Sequence, residues 1–416
     1  MKSPSTRYKL GLFTVLFAVT SVISCVQNCF SQQFEFPGRR TRDKLGFEMI
    51  KNLVIIPLYI NNTGPYNFIL DTGVSPMIIT DPTIISGLEI KSLRPTKISG
   101  LGKGPDIDAL LTNEIKASIG KSSISNLPAA ILKEDILGLS NYVGIKIHGL
   151  IGFYFFNSFV VHINYSSKNI RFHLHSNKSK IKGEKVPFQM IQNKPYINVS
   201  TYLSEKDAVV AKVLVDNGAG HAISLETYHD KPFPLPEKTA EANLGNGLSG
   251  PISGKIGRIY SLQIGSFKLK NVISSFPVYD DAGAKAILLN RNGNLGAELL
   301  SKFNVVFDYK NQEMYIRKNT SFNVPFEHDM SGMEIYTDDA NKRRYFVLRI
   351  EPGSPAEESE MKLNDEILAL NFSTTQQMNL NEITKILKSG DGRTLFLTIN
   401  RGGKMMYKFM KLKRRI

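Results

Sequence analysis

Short apolar runs rich in Val, Ile, Phe and Tyr, broken by Gly and Asn, dominate the first 320 residues. Phe68-Ile69-Leu70, Met77-Ile78-Ile79, Val213-Leu214-Val215 and Phe303-Asn304-Val305-Val306-Phe307 have strand length and strand composition. No long stretch with a 3.6-residue period interrupts them, so the pattern predicts a mainly β region. The chain then changes character. Tyr345–Ile350 and Thr394–Asn400 read as strands, whereas Leu380, Ile383, Ile386 and Leu387 fall on one face of a helix. This tail is expected to be α+β.

The β region is duplicated. Asp71-Thr72-Gly73 and Asp216-Asn217-Gly218 lie 145 residues apart, each between two apolar runs. Ile119-Gly120 and Ile264-Gly265 repeat the 145-residue offset, and Leu150-Ile151-Gly152 matches Asn294-Leu295-Gly296 at 144. Phe159–Tyr165 matches Phe303–Tyr309, again at 144. Solenoid units repeat every 20–50 residues or so, so this period means two domain-sized lobes. They are expected over residues 45–175 and 186–318. The Lys-rich stretch Ser176–Lys185 forms a joint between them, and Asn319–Asp329 forms a second linker.

A chain of 416 residues is long enough for substantial cores. Lys2, Arg7 and Lys9 precede the apolar run Leu10–Ile23, the pattern of a signal peptide over residues 1–31. Export to the periplasm or cell envelope, or secretion, is the expectation. Val22-Ile23-Ser24-Cys25 also resembles a lipobox, which makes a membrane anchor at Cys25 the alternative. Cys25 and Cys29 are the two cysteines. With the signal removed no thiol chemistry or disulfide remains. The net charge of +15 is spread along the chain, with a cluster at Lys408, Lys411, Lys413, Arg414 and Arg415. No nucleic-acid motif accompanies it, so no nucleic-acid partner is expected, and docking on anionic envelope polymers is a weaker reading. The seven histidines lack metal-ligand spacing, so neither a metal nor another cofactor is expected. His173 and His175 read as a solvated pair. Gly245-Asn246-Gly247-Leu248-Ser249-Gly250 fits Gly-x-Gly-x-x-Gly without a surrounding βαβ unit, so a loop is expected there. A Gly-x-Ser-x-Gly elbow is absent from the sequence.

One Asp-x-Gly turn has a local explanation, since Asp bonds nearby backbone and Gly accepts positive φ. Two turns at matched points of a duplication point to paired carboxylates. Like charges about 3 Å apart cannot both ionise, so such a pair shares a proton and supplies an acid and a base together. On these residues the region resembles the aspartic proteases, bilobal pepsin-like or fused retropepsin-like. The resemblance implies Asp71 and Asp216 as catalytic residues and Thr72, Gly73, Asn217 and Gly218 as the supporting turns. It also implies apolar-apolar-Gly segments packed beneath, polypeptide substrates, and flaps at Ser99–Gly104 and Leu244–Gly250. Asn217 departs from the family's Thr or Ser, and Asn294-Leu295-Gly296 is a less regular second segment. His221 is a candidate for tuning the pair.

Glu351-Pro352-Gly353-Ser354-Pro355-Ala356, followed by Asn364-Asp365-Glu366-Ile367, makes residues 330–411 resemble a PDZ domain of the bacterial envelope type. Glu360 and Asn364 stand where that family has glycines. The resemblance implies a groove for peptide or protein C-termini, bounded by Ser331, Gly332, Met333, Glu334 and Ile335 and by Leu380, Ile383 and Leu387. The groove could equally be covered by the chain itself. The expectation is therefore an exported aspartic endopeptidase; a non-catalytic peptide-binding scaffold with degenerate lobes is the alternative.

Overall fold

A computed structural model describes residues 32–88, 90–98, 104–135, 137–177, 180–247, 250–278, 290–337 and 343–416. The expected signal peptide and both cysteines lie outside the described residues. The fold is mainly β, as the apolar pattern predicts.

Each half of the duplication forms an eight-stranded sheet with the same order of strands. In the first half that order is Glu48–Ile50, Leu53–Ile60, Thr63–Leu70, Gly149–Ile151, Met77–Ile79, Ser122–Leu132, Ile107–Ile119 and Arg94–Ile98. In the second it is Gln189–Ile191, Lys194–Tyr202, Ala208–Asp216, Gly293–Gly296, Ile223–Leu225, Phe267–Pro277, Gly250–Ile264 and Thr239–Gly247. The inner strands are the near-continuous apolar runs, buried on both faces. Leu53, Val54, Ile55 and Ile56 are all buried, for example, and only Pro57 and Tyr59 of that strand face out.

A third sheet joins the halves in the order Arg42–Gly46, Asn169–His173, Val160–Asn164, Phe303–Asp308, Glu313–Lys318 and Glu184–Pro187. Its two central strands are repeat counterparts paired antiparallel. His162 faces Val306, the residue 144 positions later, so the pseudo-two-fold axis runs between these two. Beneath it, Phe155, Phe156, Phe159, Phe172, Phe303, Phe307 and Tyr309 form one aromatic core spanning both lobes. Glu184–Pro187, at the end of the expected joint, already belongs to this sheet. In the expected second linker, Phe322 packs on Phe267 and Phe303.

The C-terminal unit has its own core and a sheet in the order Met333–Tyr336, Phe346–Ile350, Glu366–Leu370, Thr394–Arg401 and Lys404–Lys411. Its helix, Leu380–Leu387, starts at Asn379 with a capping box closed by Glu382. Glu360 and Asn364 both take positive φ, at 55° and 64°. These are the two positions where the resemblance expects glycine. Glu360 is held there by its carbonyl, which accepts from Arg401, and by its carboxylate, which meets Lys408.

His173 is not part of a solvated pair with His175. It is buried, and its Nε2 lies 3.1 Å from Nε2 of His162 on the axis strand. His175 instead meets Asp308 at 3.3 Å. Burial, then the neighbouring His173 and Arg171, lower the pKa of His162 from 6.5 to about 4. A histidine depressed in the folded state contributes full stability above its free value and loses it as pH falls towards the folded value. Unfolding measured by urea titration should therefore lose roughly 2–3 kcal/mol from this site between pH 6.5 and about 4. His162→Val, which installs the residue found at its counterpart Val306, should remove that share of the acid slope. An unchanged slope would refute this assignment.

Candidate active site

The strands Thr63–Leu70 and Ala208–Asp216 deliver Asp71 and Asp216 to equivalent points on either side of the axis. Each runs parallel to the segment expected beneath it, Gly149–Ile151 or Gly293–Gly296. The Asp71 N–H donates to Ile151 O at 2.8 Å. A side chain at Gly152 would overlap the carbonyl of Asp71, which makes glycine obligatory there. The Asn294-Leu295-Gly296 segment, irregular in sequence, takes the same place as its counterpart.

The two turns are tied to each other across the axis. Thr72 N donates to Asn217 Oδ1 at 2.8 Å, Thr72 Oγ1 donates to Val215 O at 2.7 Å, and Asn217 N donates to Thr72 Oγ1 at 3.1 Å. Thr72 and Asn217 are both completely buried. The amide of Asn217 therefore replaces a hydroxyl as acceptor, but its Nδ2 is buried without a partner among the described residues. One bond of an otherwise reciprocal lattice is missing on that side.

The carboxyl groups meet between the turns, and the side chains of Asp71 and Asp216 are hydrogen-bonded to each other. Gly73 N donates to Asp71 Oδ1 at 2.6 Å and Gly218 N to Asp216 Oδ1 at 2.9 Å. Neither turn glycine has positive φ, so conformational freedom is not why glycine stands here. Proximity is the reason. A Cβ on Gly218 would overlap the Asp71 carboxyl, and one on Gly73 would lie 3.3 Å from the Asp216 carboxyl carbon. Burial, then the charge of Asp216 and the hydrogen bond to it, hold the Asp71 carboxyl well above the usual carboxylate range.

The surroundings differ between lobes. Asn294 Nδ2 donates to Asp216 Oδ2 at 2.7 Å, a contact that its counterpart Leu150 cannot make. His221 is half-buried beside Asp216, with its ring bonded to the Asn294 backbone, and desolvation lowers its pKa. Tyr309 lies within the field of both aspartates at the top of the aromatic core. Two hairpin tips add cross-lobe contacts. Lys51-Asn52 and Gln192-Asn193 all take positive φ, the geometry of a tight two-residue turn. Asn52 Nδ2 donates to Gly220 O at 2.9 Å, and Asn193 Nδ2 donates to Ser75 Oγ at 3.3 Å. Each tip thus holds the segment just after the opposite lobe's Asp-x-Gly. Sequence reasoning missed both, although the matched Lys-Asn and Gln-Asn pairs were a usable signal.

Of the expected flaps, residues 99–103 and 248–249 lie outside the described residues. Thr239–Gly247 and Gly250–Ile264 form a hairpin, as expected for the glycine-rich stretch, and Gly250 lies against Gly104. A cavity of about 500 Å³ lies elsewhere, lined by Arg258, Lys268, Lys270, Phe322, Phe326 and Arg414 among others, at the seam between lobe two and the C-terminal unit.

The C-terminal residues expected to bound an open groove are already engaged. Met333, Ile335, Leu380, Ile383 and Leu387 are buried in that unit's own core. The N–H groups of Ser331 and Gly332 both donate to Asp329 Oδ1 at 2.9 Å, so the chain's own carboxylate fills the loop. Glu334 accepts from Asn243 Nδ2 at 2.8 Å. Just past the strand, Thr337 N donates to Asn141 O at 3.4 Å, and Leu380 packs at Gly144. Asn381 accepts from Lys51 N at 3.1 Å and donates to Met49 O at 2.7 Å. The helix face and strand end therefore lie against lobe one.

Residues 56–155 match a family model described as aspartyl protease. No curated protein matches the chain. The match supports an aspartyl protease domain in lobe one, and its span contains both Asp71-Thr72-Gly73 and Leu150-Ile151-Gly152.

Thr72→Val removes two buried cross-lobe bonds and leaves Asn217 N–H unpaired, so it should destabilise the protein by about 2–4 kcal/mol. Asn217→Thr removes the orphaned Nδ2 and offers a hydroxyl donor in its place. It should be neutral or stabilising by up to about 1 kcal/mol in the same denaturation assay. Equal losses in both variants would mean that the lattice does not hold the turns.

Proposed function

We propose that the protein is an exported aspartic endopeptidase whose two lobes supply one carboxyl each. The observation that carries this reading is the hydrogen-bonded contact between Asp71 and Asp216, buried and braced from both sides. Peptide hydrolysis without a covalent intermediate needs a base to take a proton from water and an acid to give one to the carbonyl oxygen. Asp216 accepts from both Gly218 N and Asn294 Nδ2. Asp71 accepts from Gly73 N, so donors hold a carboxylate oxygen on each side of the pair. The raised Asp71 carboxyl keeps one proton within the pair, which thus supplies acid and base together. Polypeptides enter between the lobes, under hairpins that shed water from the cleft. The basic start and apolar run of the leader support export.

In this reading the PDZ-like unit serves first as a fixed third domain of the protease. Its recognition of free C-termini requires Asp329 to leave its loop and the Asn141 segment to leave the strand end. A fluorescent peptide with a free C-terminus should accordingly bind Asn381→Ala, which loosens the contact with the Lys51 turn, more tightly than it binds the wild type. Equal affinity in an anisotropy titration would count against a groove closed by the chain.

Asp71→Asn should lower kcat/KM on a mixed peptide library by roughly a thousandfold or more while leaving the fold intact by circular dichroism. Undiminished cleavage would end the protease reading in favour of a binding scaffold. Activity needs one proton on the pair. Because the Asp71 carboxyl is raised, the alkaline limb of the pH–rate profile should lie above the range of ordinary carboxyls.

A further inference from the structure

Lobe one has an apolar cluster beside its catalytic turn that includes Leu53, Ile55, Ile69, Ile147 and Leu150. In lobe two Leu214 keeps the place of Ile69, but the other four positions carry polar groups. Tyr196 pairs with Leu214 as Ile55 pairs with Ile69. Continuing each register by two residues sets Leu53 across from Asp71 and Lys194 across from Asp216. Opposed residues of an antiparallel pair share a face, so Lys194 and Asp216 point the same way. Arg291 stands for Ile147 and Asn294 for Leu150.

The charges of this cluster are unequally satisfied. Arg291 is buried and bidentate on Glu226, at 3.2 Å through both nitrogens, so its charge is answered. The Lys194 ammonium has no hydrogen bond or ion pair among the described residues, although the lysine is only partly exposed. The charges that act on it are Asp71, Arg291 and Asp216. A dyad that keeps its catalytic proton offers at most one negative charge, which is already bonded by Gly218 and Asn294. Around Asp216 three further buried atoms lack partners among the described residues: Asn217 Nδ2, His221 Nε2 and Asn294 Oδ1. Lobe two therefore presents a half-desolvated cation near the acid pair, with no bonded anion of its own among the described residues.

We infer that Lys194 forms a subsite for a substrate carboxylate next to the scissile bond. This rests on the protease reading and adds a substrate class to it. The carboxylate belongs either to an Asp or Glu side chain or to the free end of a chain cut close to its C-terminus. In lobe one the matching position is Leu53, buried in an apolar cluster with no charge to offer, so the two sides of the scissile bond differ in polarity.

The test uses the full chain and peptides matched except for one residue flanking the cleavage point, carrying Glu, Gln or Lys, each with a free or amidated C-terminus. Wild type should favour Glu over Gln by about tenfold or more in kcat/KM if side chains are read. It should favour acid over amide termini by a similar factor if chain ends are read. Lys194→Met should bring the preferred ratio towards one, Lys194→Arg should keep it, and Lys194→Glu should turn it towards Lys. A ratio unchanged in Lys194→Met would overturn the inference, as would a displaced pH profile with no change in preference. Those outcomes leave cleavage, and its loss in Asp71→Asn, untouched. Absence of Asp71-dependent cleavage from every peptide would instead overturn the protease reading itself.

Discussion

Two carboxyl groups that repel each other will not stay in contact unless something rigid holds them there, and here that is the bonding of each Asp-x-Gly turn to the other lobe. Thr72 alone makes two bonds across the axis and receives a third. These bonds are buried, so breaking one leaves a polar group without water to replace its partner. The raised Asp71 carboxyl follows from its burial and from the contact with Asp216 that this bracing holds in place. So do the need for glycine at 218, where a side chain would stand in the place of the Asp71 carboxyl, and the tight fit at Gly73. The inter-lobe sheet and its aromatic core set the axis on which the turns converge.

The duplication that makes the site possible is imperfect where chemistry benefits from asymmetry. A symmetric pair would give both carboxyls the same partners. Replacement of Leu150 by Asn294 at the matched position gives Asp216 a second donor, so the acids differ even though their backbones do not. Lys194, Tyr196, Arg291 and Glu226 carry the same difference outward. The backbone lattice of lobe two is kept by the same hydrogen bonds as in lobe one. Asn292 Oδ1 accepts from Lys212 N as His148 Nδ1 accepts from Asn67 N. The two sheets thus share their backbone bonding while differing in site chemistry.

What could be read from the chain alone follows the same division. The repeat offset located both turns, the segments beneath them and the paired axis strands, because backbone pairing in a duplicated β fold repeats with sequence position. The left-handed positions at Glu360 and Asn364 were legible from their place in a glycine pattern. Contacts between elements far apart in the chain were not. Asn52 and Asn193 look like ordinary turn residues, and their reach across the axis exists only once the lobes face each other. The sequence pattern placed His173 with His175 on a strand, but the neighbouring strand brings His162 to it instead. Asp329 precedes the loop it fills by two residues, and nothing in the local composition distinguishes it from a solvated acid.

The Lys51–Asn52 tip links these levels. Its backbone N–H is held by Asn381 of the C-terminal helix, and the ammonium of Lys51 lies 3.7 Å over the ring of Tyr142. Burial there lowers the lysine's pKa to about 8 against the pull of Glu334 and Asp329. On its other side, Asn52 holds Gly220, two residues beyond the lobe-two turn. A rigid hairpin two residues long leaves little slack between these contacts, so a shift of the helix is transmitted to the segment that follows Asp216. Lobe two's matching tip, Gln192-Asn193, touches Ser75 by a longer bond and has no such support from the C-terminal unit among the described contacts. The third domain therefore braces one turn of the pair, the one whose cross-lobe lattice already lacks a bond at Asn217.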